Sequence, residues 1–358
     1  MNKERLQLLK ELTEIGGVSG YETEVKNVLK KHLKGLADIS YDKIGSIIFK
    51  KEGDSASPKI MIPGHMDEVG FMVRFITDDG FIKFLPLGGW FAQVILSQRV
   101  IIKSSKGDYT GIVGSKPPHI LTEEEKKKVV EIKDMFIDVG ASSKKEVEED
   151  FGIKPGDPIV PFSEFKEMGN KKNLLAKAWD DRVGCALFID VIKELQKTKH
   201  PNTVYGVGTV QEEVGLRGAR TSSWVVEPDV AIIAEVGLAT DVPGVKQEEV
   251  VGKLGKGPQI TILDAGMIPN LKLRDLVVDI AKKKKIPFQF TSVNRGATDG
   301  GVIHLHTRGV PCIYIGVPTR YIHSQAGIIN TDDYENTLKL ILETVKVLDE
   351  KKVKELIP

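Results

Sequence analysis

Apolar residues recur at helical spacing from the start of the chain. Leu6, Leu9 and Leu12 lie three apart, and Val25, Val28, Leu29 and Leu33 keep the same rhythm. The break Gly16-Gly17-Val18-Ser19-Gly20 separates the two runs, so the pattern predicts two helices, the second capped by Ser19 or Gly20. Strand-like runs follow at Ser46 to Lys50 and Lys59 to Pro63, the latter leading into Gly64-His65-Met66-Asp67-Glu68. An apolar strand that stops at a polar cluster is how open α/β sheets present chemistry, at the carboxyl ends of their strands.

From Phe71 to Phe165 the texture changes. Runs rich in β-branched and aromatic residues (Phe71 to Ile76, Phe81 to Leu85, Val94 to Ile102, Tyr109 to Val113) are separated by Gly, Asp and Pro. They predict a small, mainly β module, interrupted by a charged helix over Glu123 to Ile132. After Leu174 helices and strands alternate again. A helix from Arg182 to Gln196 leads to a strand, Thr203 to Val210, that ends at Gln211-Glu212-Glu213. A further strand, Val230 to Ala234, ends at Glu235. Helices over Leu271 to Lys284 and Asp332 to Leu348 flank a strand from Pro311 to Val317. The expected fold is α/β, with a mixed-sheet catalytic domain over 1–70 and 166–358 interrupted by a β-rich domain over 71–165.

Composition narrows the partners. The 358 residues carry 51 Lys+Arg against 50 Asp+Glu, a net charge of +1. A nucleic-acid binder needs a basic excess to neutralise phosphates, so no nucleic-acid partner is expected. Lys282 to Lys285 reads as a solvated helix end favoured by the helix dipole. No apolar run approaches the ~20 residues of a spanning helix. The first residues mix both charges without a signal peptide's apolar stretch, so the expected location is cytoplasmic, with no membrane partner. Cys185 and Cys312 are far apart and flanked by apolar residues. Two thiols supply neither a disulfide framework nor a thiolate zinc site, and buried free thiols fit a reducing compartment.

Candidate chemistry starts with the histidines. His32 and His200 sit in charged or loop surroundings and read as solvated. His65 follows a strand end and has Asp67 two residues on, a carboxylate able to take the proton of the ring nitrogen a metal leaves free. Asp180-Asp181 and Glu212-Glu213 place paired carboxylates at the boundaries of apolar segments. With Glu235 and His323 they yield a set of two imidazoles and three carboxylates: His65, Asp180, Glu213, Glu235 and His323. Such mixed N/O ligation suits Zn²⁺, Co²⁺ or Mn²⁺ better than Ca²⁺ or Mg²⁺. Two cations ~3.5–4 Å apart can polarise a carbonyl and acidify a water. Glu212 then remains free to move a proton. Spacing alone does not single out these residues among the many acids of the chain. The loop Gly296 to Gly301 is glycine-rich, but no Lys-Ser/Thr follows it, so it is not a phosphate loop.

Four segments carry a resemblance: Gly64-His65-Met66-Asp67-Glu68-Val69-Gly70-Phe71, Trp179-Asp180-Asp181-Arg182-Val183-Gly184-Cys185-Ala186, Gln211-Glu212-Glu213-Val214-Gly215-Leu216-Arg217-Gly218-Ala219 and Arg320-Tyr321-Ile322-His323. Together with Gly114-Ser115-Lys116-Pro117-Pro118-His119, they closely resemble the dinuclear-metal aminopeptidases of the glutamyl and deblocking type. That family includes tetrahedral dodecamers and members labelled cellulase M or endoglucanase. The resemblance runs from about residue 5 to residue 350.

It implies a zinc-peptidase-like catalytic domain and a PDZ-like insertion that helps assemble a homo-oligomer. The building block would be a dimer, and the assembly could extend to a dodecamer. It implies two divalent ions per subunit, Zn or Co, with Mn as a further candidate. Asp180 would bridge them, with a cis bond to Asp181. His65 and Glu235 would hold one ion, and Glu213 and His323 the other. Glu212 would be the general base and Asp67 the residue orienting His65, in an enzyme that removes N-terminal residues from short peptides. His119 and Asp241 are read as structural, and Asp299 as lying near the cleft. One departure stands out: the family usually has Asp where this chain has Glu235. It leaves open a metal-dependent deacylase or carboxypeptidase-like hydrolase. The cellulase label suggests a glycosidase, which would need no two-histidine metal site, and a non-catalytic assembly protein is the remaining alternative.

Overall fold

The computed structural model describes residues 1–293 and 295–357; Asn294 and Pro358, both within the expected second catalytic segment, lie outside the described residues. Among the described residues, eleven strands form one mixed sheet, and six others close into a barrel. Four strands run parallel side by side at the heart of the sheet: Thr203–Thr209, Lys59–His65, Val230–Leu238 and Cys312–Arg320. They are buried almost throughout, as strands covered on both faces must be. Antiparallel strands extend both flanks. Ile47–Lys51 and Asp38–Tyr41 lie on one side, and Gly327–Asn330, Asn173–Ala176 and Lys166–Glu167 on the other.

Alternate residues of each central strand feed different cores. Ile60, Ile62 and Ile232 join the larger one, beneath the helices Lys3–Glu14, Thr23–Leu33, Trp179–Leu195, Leu271–Lys283 and Thr331–Val347. Met61, Ala231 and Ile233 join a smaller one under the helices Arg217–Val226 and Gly300–Ile303. The helix Trp179–Leu195 approaches the sheet through glycine. A Cβ on Gly184 would lie 2.2 Å from both the Ala234 carbonyl oxygen and Asp181 Oδ2, and one on Gly64 would lie 2.5 Å from the Gly184 backbone. This contact brings the start of the helix to the end of the strand that carries His65.

The barrel consists of Gly70–Ile76, Ile82–Leu87, Phe136–Asp138, Gly107–Gly114, Arg99–Ser104 and Pro158–Pro161. It has its own core, including Phe71, Phe84, Ile102, Val113, Ile137 and Ile159. The charged helix expected over Glu123 to Ile132 does not form; 3₁₀ turns occupy Glu125–Lys127 and Ile132–Asp134 instead. The apolar residues of the run, Val129, Val130 and Ile132, all fall at one end, so the six charged residues before them have no apolar face to bury, and a short helix needs such burial to be stable. The strand expected to stop at Ala234 continues to Leu238, because Val236, Gly237 and Leu238 pair with Cys312–Arg320. Glu235 therefore sits inside a strand rather than beyond its end. Ser19 does not cap the second helix, whose N-cap is Glu22. His200 is buried, not solvated: its Nδ1 lies 3.1 Å from Asn202 Oδ1, and the Asn202 amide donates to the carbonyls of Val345 and Leu348.

Candidate metal centre and active site

The parallel strands end on one edge, and that edge collects the chemistry. His65 is the last residue of its strand and pairs in register with Thr209. The turn beyond Thr209 carries Glu212 and Glu213. Glu235 lies in register with Gly316 on the neighbouring strand, and the chain beyond Arg320 returns with His323. Asp180 arrives from the helix start, where the Asp180–Asp181 peptide is cis. All five metal candidates thus come together.

Asp180 sits between the imidazoles. Its Oδ1 lies 2.9 Å from His65 Nε2 and its Oδ2 3.3 Å from His323 Nε2. Glu213 Oε2 lies 3.6 Å from His323 Nε2, and Glu235 Oε2 lies 3.7 Å from His65 Nε2. Glu212 Oε2 is 3.8 Å from the same His65 nitrogen. Among the described residues, two groups have donor atoms mutually within 4.8 Å: His65, Asp180 and Glu213, and His65, Asp181 and Glu235. Sequence reasoning passed over Asp181 in favour of its neighbour. Its carboxylate accepts from the His65 and Gly184 amides, which anchors the strand end to the helix start.

His65 Nδ1 lies 2.9 Å from the Asp67 carbonyl oxygen. A carbonyl only accepts, so Nδ1 carries the proton there and Nε2 faces the carboxylates. The Asp67 carboxylate is farther, at 3.5 Å. Its closer partners are Ser19 Oγ at 2.6 Å and the amides of Glu212 and Glu213 at 3.0 and 3.2 Å. Asp67 thus holds the turn that carries Glu212 as well as the histidine loop. Of the nine non-glycine residues with left-handed backbone among the described residues, five border the site: Ala178, Gln211, Leu216, Tyr321 and His323. Each such residue costs ~1–3 kcal/mol and persists only where its surroundings enforce it.

Burial and mutual repulsion set the proton affinities. Burial lifts Glu212 and Glu235 well above the usual carboxylate range, with neighbouring carboxylates adding to it, and takes Glu213 to about 8. Burial works against the His65 imidazolium, yet Glu212, Glu235 and Asp180 raise its affinity well above the ordinary value. His323 rises to about 9, where Asp180 and Glu213 outweigh burial. Burial also opposes ionised Asp180, but His323 and His65 hold it low. Glu213 Oε1 is buried with no hydrogen-bond partner. A pocket of acids that retain protons, with one oxygen unsatisfied, suits divalent cations that displace those protons. The donor set fits such cations.

The barrel also reaches the site. A Cβ on Gly88, at φ 83°, would lie 2.8 Å from Glu213 Oε2, and one on Gly89 would lie 3.2 Å from His323 Nδ1. The paired glycines after a strand were the available signal, and sequence reasoning did not use it. Val69, Trp179, Tyr321, Ile322, His323 and Ser324 line a cleft beside Asp180. Asp241 forms a two-point ion pair with Arg320, at 2.8 and 2.6 Å, just before the His323 loop. Asp299 is buried behind the site, accepting from Thr209 Oγ1 at 2.6 Å. His119 is exposed. His306 stacks edge-on against Trp224.

The sequence pattern of the M42 glutamyl aminopeptidases matches residues 45–340. The glutamyl aminopeptidase of Lactococcus lactis is 35% identical over 97% of this chain and 98% of its own. A TET aminopeptidase from a marine-sediment Thaumarchaeota archaeon superposes with a TM-score of 0.96 at 46% identity, covering 99% of both chains. The Pyrococcus horikoshii TET1 peptidase, which can assemble into a tetrahedron or a large octahedral shell, superposes with a TM-score of 0.85. Its identity is 31%, over 96% of this chain and 100% of that one.

Proposed function

The chain belongs to the M42 glutamyl aminopeptidase family, and from that premise we propose how its residues divide the hydrolysis of N-terminal residues from short peptides. Asp180 is assigned the bridging position, His65 and Glu235 one cation, and Glu213 and His323 the other. The observation that carries this reading is the Asp180 carboxylate, each oxygen of which faces a different imidazole. Zn²⁺ or Co²⁺, with Mn²⁺ as a further candidate, suits two nitrogens and three carboxylates. When bound, the pair supplies Lewis acidity to the scissile carbonyl and to a water.

Glu212 is assigned the proton transfers: it takes one from the attacking water and returns it to the leaving amine. Burial and neighbouring carboxylates raise its proton affinity, which suits a group that must both accept and donate. Asp67 holds Glu212 and Glu213 by their amides, and its carbonyl holds His65. Glu235 reaches the site while its Oε1 accepts from the Val236 amide at 2.9 Å, so the longer side chain is braced by its own strand. The acids around the cleft draw the free ammonium of the peptide.

The assemblies of the Pyrococcus horikoshii TET1 peptidase support homo-oligomerisation here as well; on the family resemblance, the building block is a dimer. On the family resemblance, the barrel is the PDZ-like assembly domain, over 71–165, between catalytic segments 1–70 and 166–358. Cys185 and Cys312, both free and buried, accord with a cytoplasmic enzyme. Among the described residues, no helix is long and apolar enough to cross a membrane.

Glu212→Gln is the direct test. Turnover of aminoacyl substrates should vanish while bound metal, measured by elemental analysis, stays at the parent level; near-normal turnover would sink the assignment. Free and N-acetylated peptides separate the deacylase alternative, since an aminopeptidase requires the free amine.

A further inference from the structure

Three successive amides of the turn that carries the base end on carboxylates. Gln211 N–H donates to Glu22 Oε1 at 3.1 Å, Glu212 N–H to Asp67 Oδ1 and Glu213 N–H to Asp67 Oδ2. Asp67 belongs to the site already described. Glu22 comes from a loop 189 positions away in sequence.

That loop is itself locked in place. Glu22 Oε1 also accepts from the Gly20 amide at 2.7 Å. Ser19 Oγ donates to Asp67, Val18 pairs with Glu68 in an isolated bridge, and the Glu68 amide donates to the Gly17 carbonyl at 3.0 Å. Ser19 and Glu22 are both buried, so the loop faces inward against the site.

The turn needs such a hold at its entry. Gln211 and Leu216 have φ of 55° and 56°, so left-handed residues bracket Glu212 and Glu213. The far side closes on itself: the Gly215 and Leu216 amides donate to the Glu212 carbonyl, the Arg217 amide to the Gln211 carbonyl, and the Gly218 amide to the Val210 carbonyl. The Gln211 N–H takes no part in that closure. Its partner is Glu22.

We propose that Glu22 is a positioning residue for the hydrolysis: by accepting the Gln211 amide it fixes the left-handed entry to the turn, and so the direction in which Glu212 presents its carboxylate. The inference rests on the assignment of Glu212 as the base. Glu22 acts through an acceptor oxygen at the right reach, so neither its charge alone nor its bulk alone suffices.

Three variants of the full-length enzyme, loaded with the same metal, separate these possibilities. A misplacement of about 1 Å at a reacting group can cost ~10²-fold. Glu22→Ala should therefore lower kcat roughly ten- to a hundredfold with KM within about twofold, at unchanged bound metal. Glu22→Gln keeps the oxygen at full reach and should bring kcat back to within a few-fold of the parent. Glu22→Asp keeps the charge one methylene short and should resemble Ala. A merely structural role would lower kcat in step with the folded fraction, and a purely electrostatic role would favour Asp over Gln. An Asp variant more active than the Gln variant overturns the proposal, as does a folded, metal-loaded Ala variant with parental kcat. If the Ala variant does not fold, the Gln–Asp comparison decides alone. Glu212→Gln keeps the failures apart: if it is inactive while Glu22→Ala is not, only the positioning role of Glu22 is lost.

Discussion

Beneath the site, Glu68 is enclosed by two cations. Its Oε1 and Oε2 accept from Lys177 Nζ at 2.6 and 2.7 Å, and Oε1 also accepts from Arg182 Nη2 and the Gly17 amide at 3.2 Å. Their side chains are 1%, 3% and 0% exposed for Glu68, Lys177 and Arg182. Arg182 donates further to the carbonyls of Leu12, Ile15 and Gly17, so the cluster ties the first helix to the start of the helix that carries Asp180. Glu68→Gln keeps the shape but leaves two buried cations without their anion. Breaking a buried pair in this way costs ~3–5 kcal/mol. At ~2.1 cal/mol/K per residue, the entropy of unfolding is about 0.75 kcal/mol/K for this chain, so the midpoint should fall ~4–7 °C. Lys177→Met in the same background removes one orphaned charge and should recover part of the loss. The assay is a double-mutant cycle by differential scanning calorimetry at fixed protein concentration and metal loading. A Glu68→Gln midpoint within about 1 °C of the parent, or a double variant no more stable than the single one, would refute the reasoning.

Three further outcomes follow from the same structure. Burial lowers Lys177 to about 8 against the opposing pull of Glu68, so between pH 8 and 10.5 the unfolded chain binds the proton the folded chain has released. Stability should therefore rise with pH across that window, by roughly 3 kcal/mol more in the parent than in Lys177→Met; parallel pH profiles of the two would contradict it. Gly88→Ala places a Cβ 2.7 Å from Val69 Cγ1 and 2.8 Å from Glu213 Oε2 at a left-handed backbone. It should destabilise the fold by ~1–3 kcal/mol and weaken one cation more than the other in calorimetric metal titrations; equal weakening of both would count against the ligand assignment. Restoring Zn²⁺ to chelator-treated protein at a hundredfold excess over Kd should raise the midpoint by about 4 °C, and an unmoved midpoint would mean that the folded state has no such site.

The strand-end acids were legible because buried parallel strands read as apolar runs, and a polar cluster after such a run marks the sheet edge. His65 and Glu212-Glu213 carried that signal. Glu235 carried it as well, although it lies inside its strand: the ladder to Cys312–Arg320 continues the strand past it to Leu238. His200 looked solvated beside Lys199, but the fold buries it against Asn202. Glu22 was out of reach for a different reason. It works through a contact with Gln211, far away in sequence, and no local pattern encodes the meeting. Gly88 was signalled only as half of a glycine pair after a strand; its approach to Glu213 was not.

The parallel edge explains why so few elements suffice for the site, and the barrel loop shows why the insertion matters to it. Gly88 and Gly89 abut Glu213 and His323, the two residues assigned to one cation. As glycines they leave room that any side chain would take from those two residues. His65 and Glu235, assigned to the other cation, are held from within the sheet: His65 by the Asp67 carbonyl and the Asp181 carboxylate, Glu235 by the Val236 amide. A displacement of the barrel would therefore press on one half of the centre and leave the other half braced. Chemistry supported by the sheet on one side and by the inserted barrel on the other couples the two modules at Glu213 and His323.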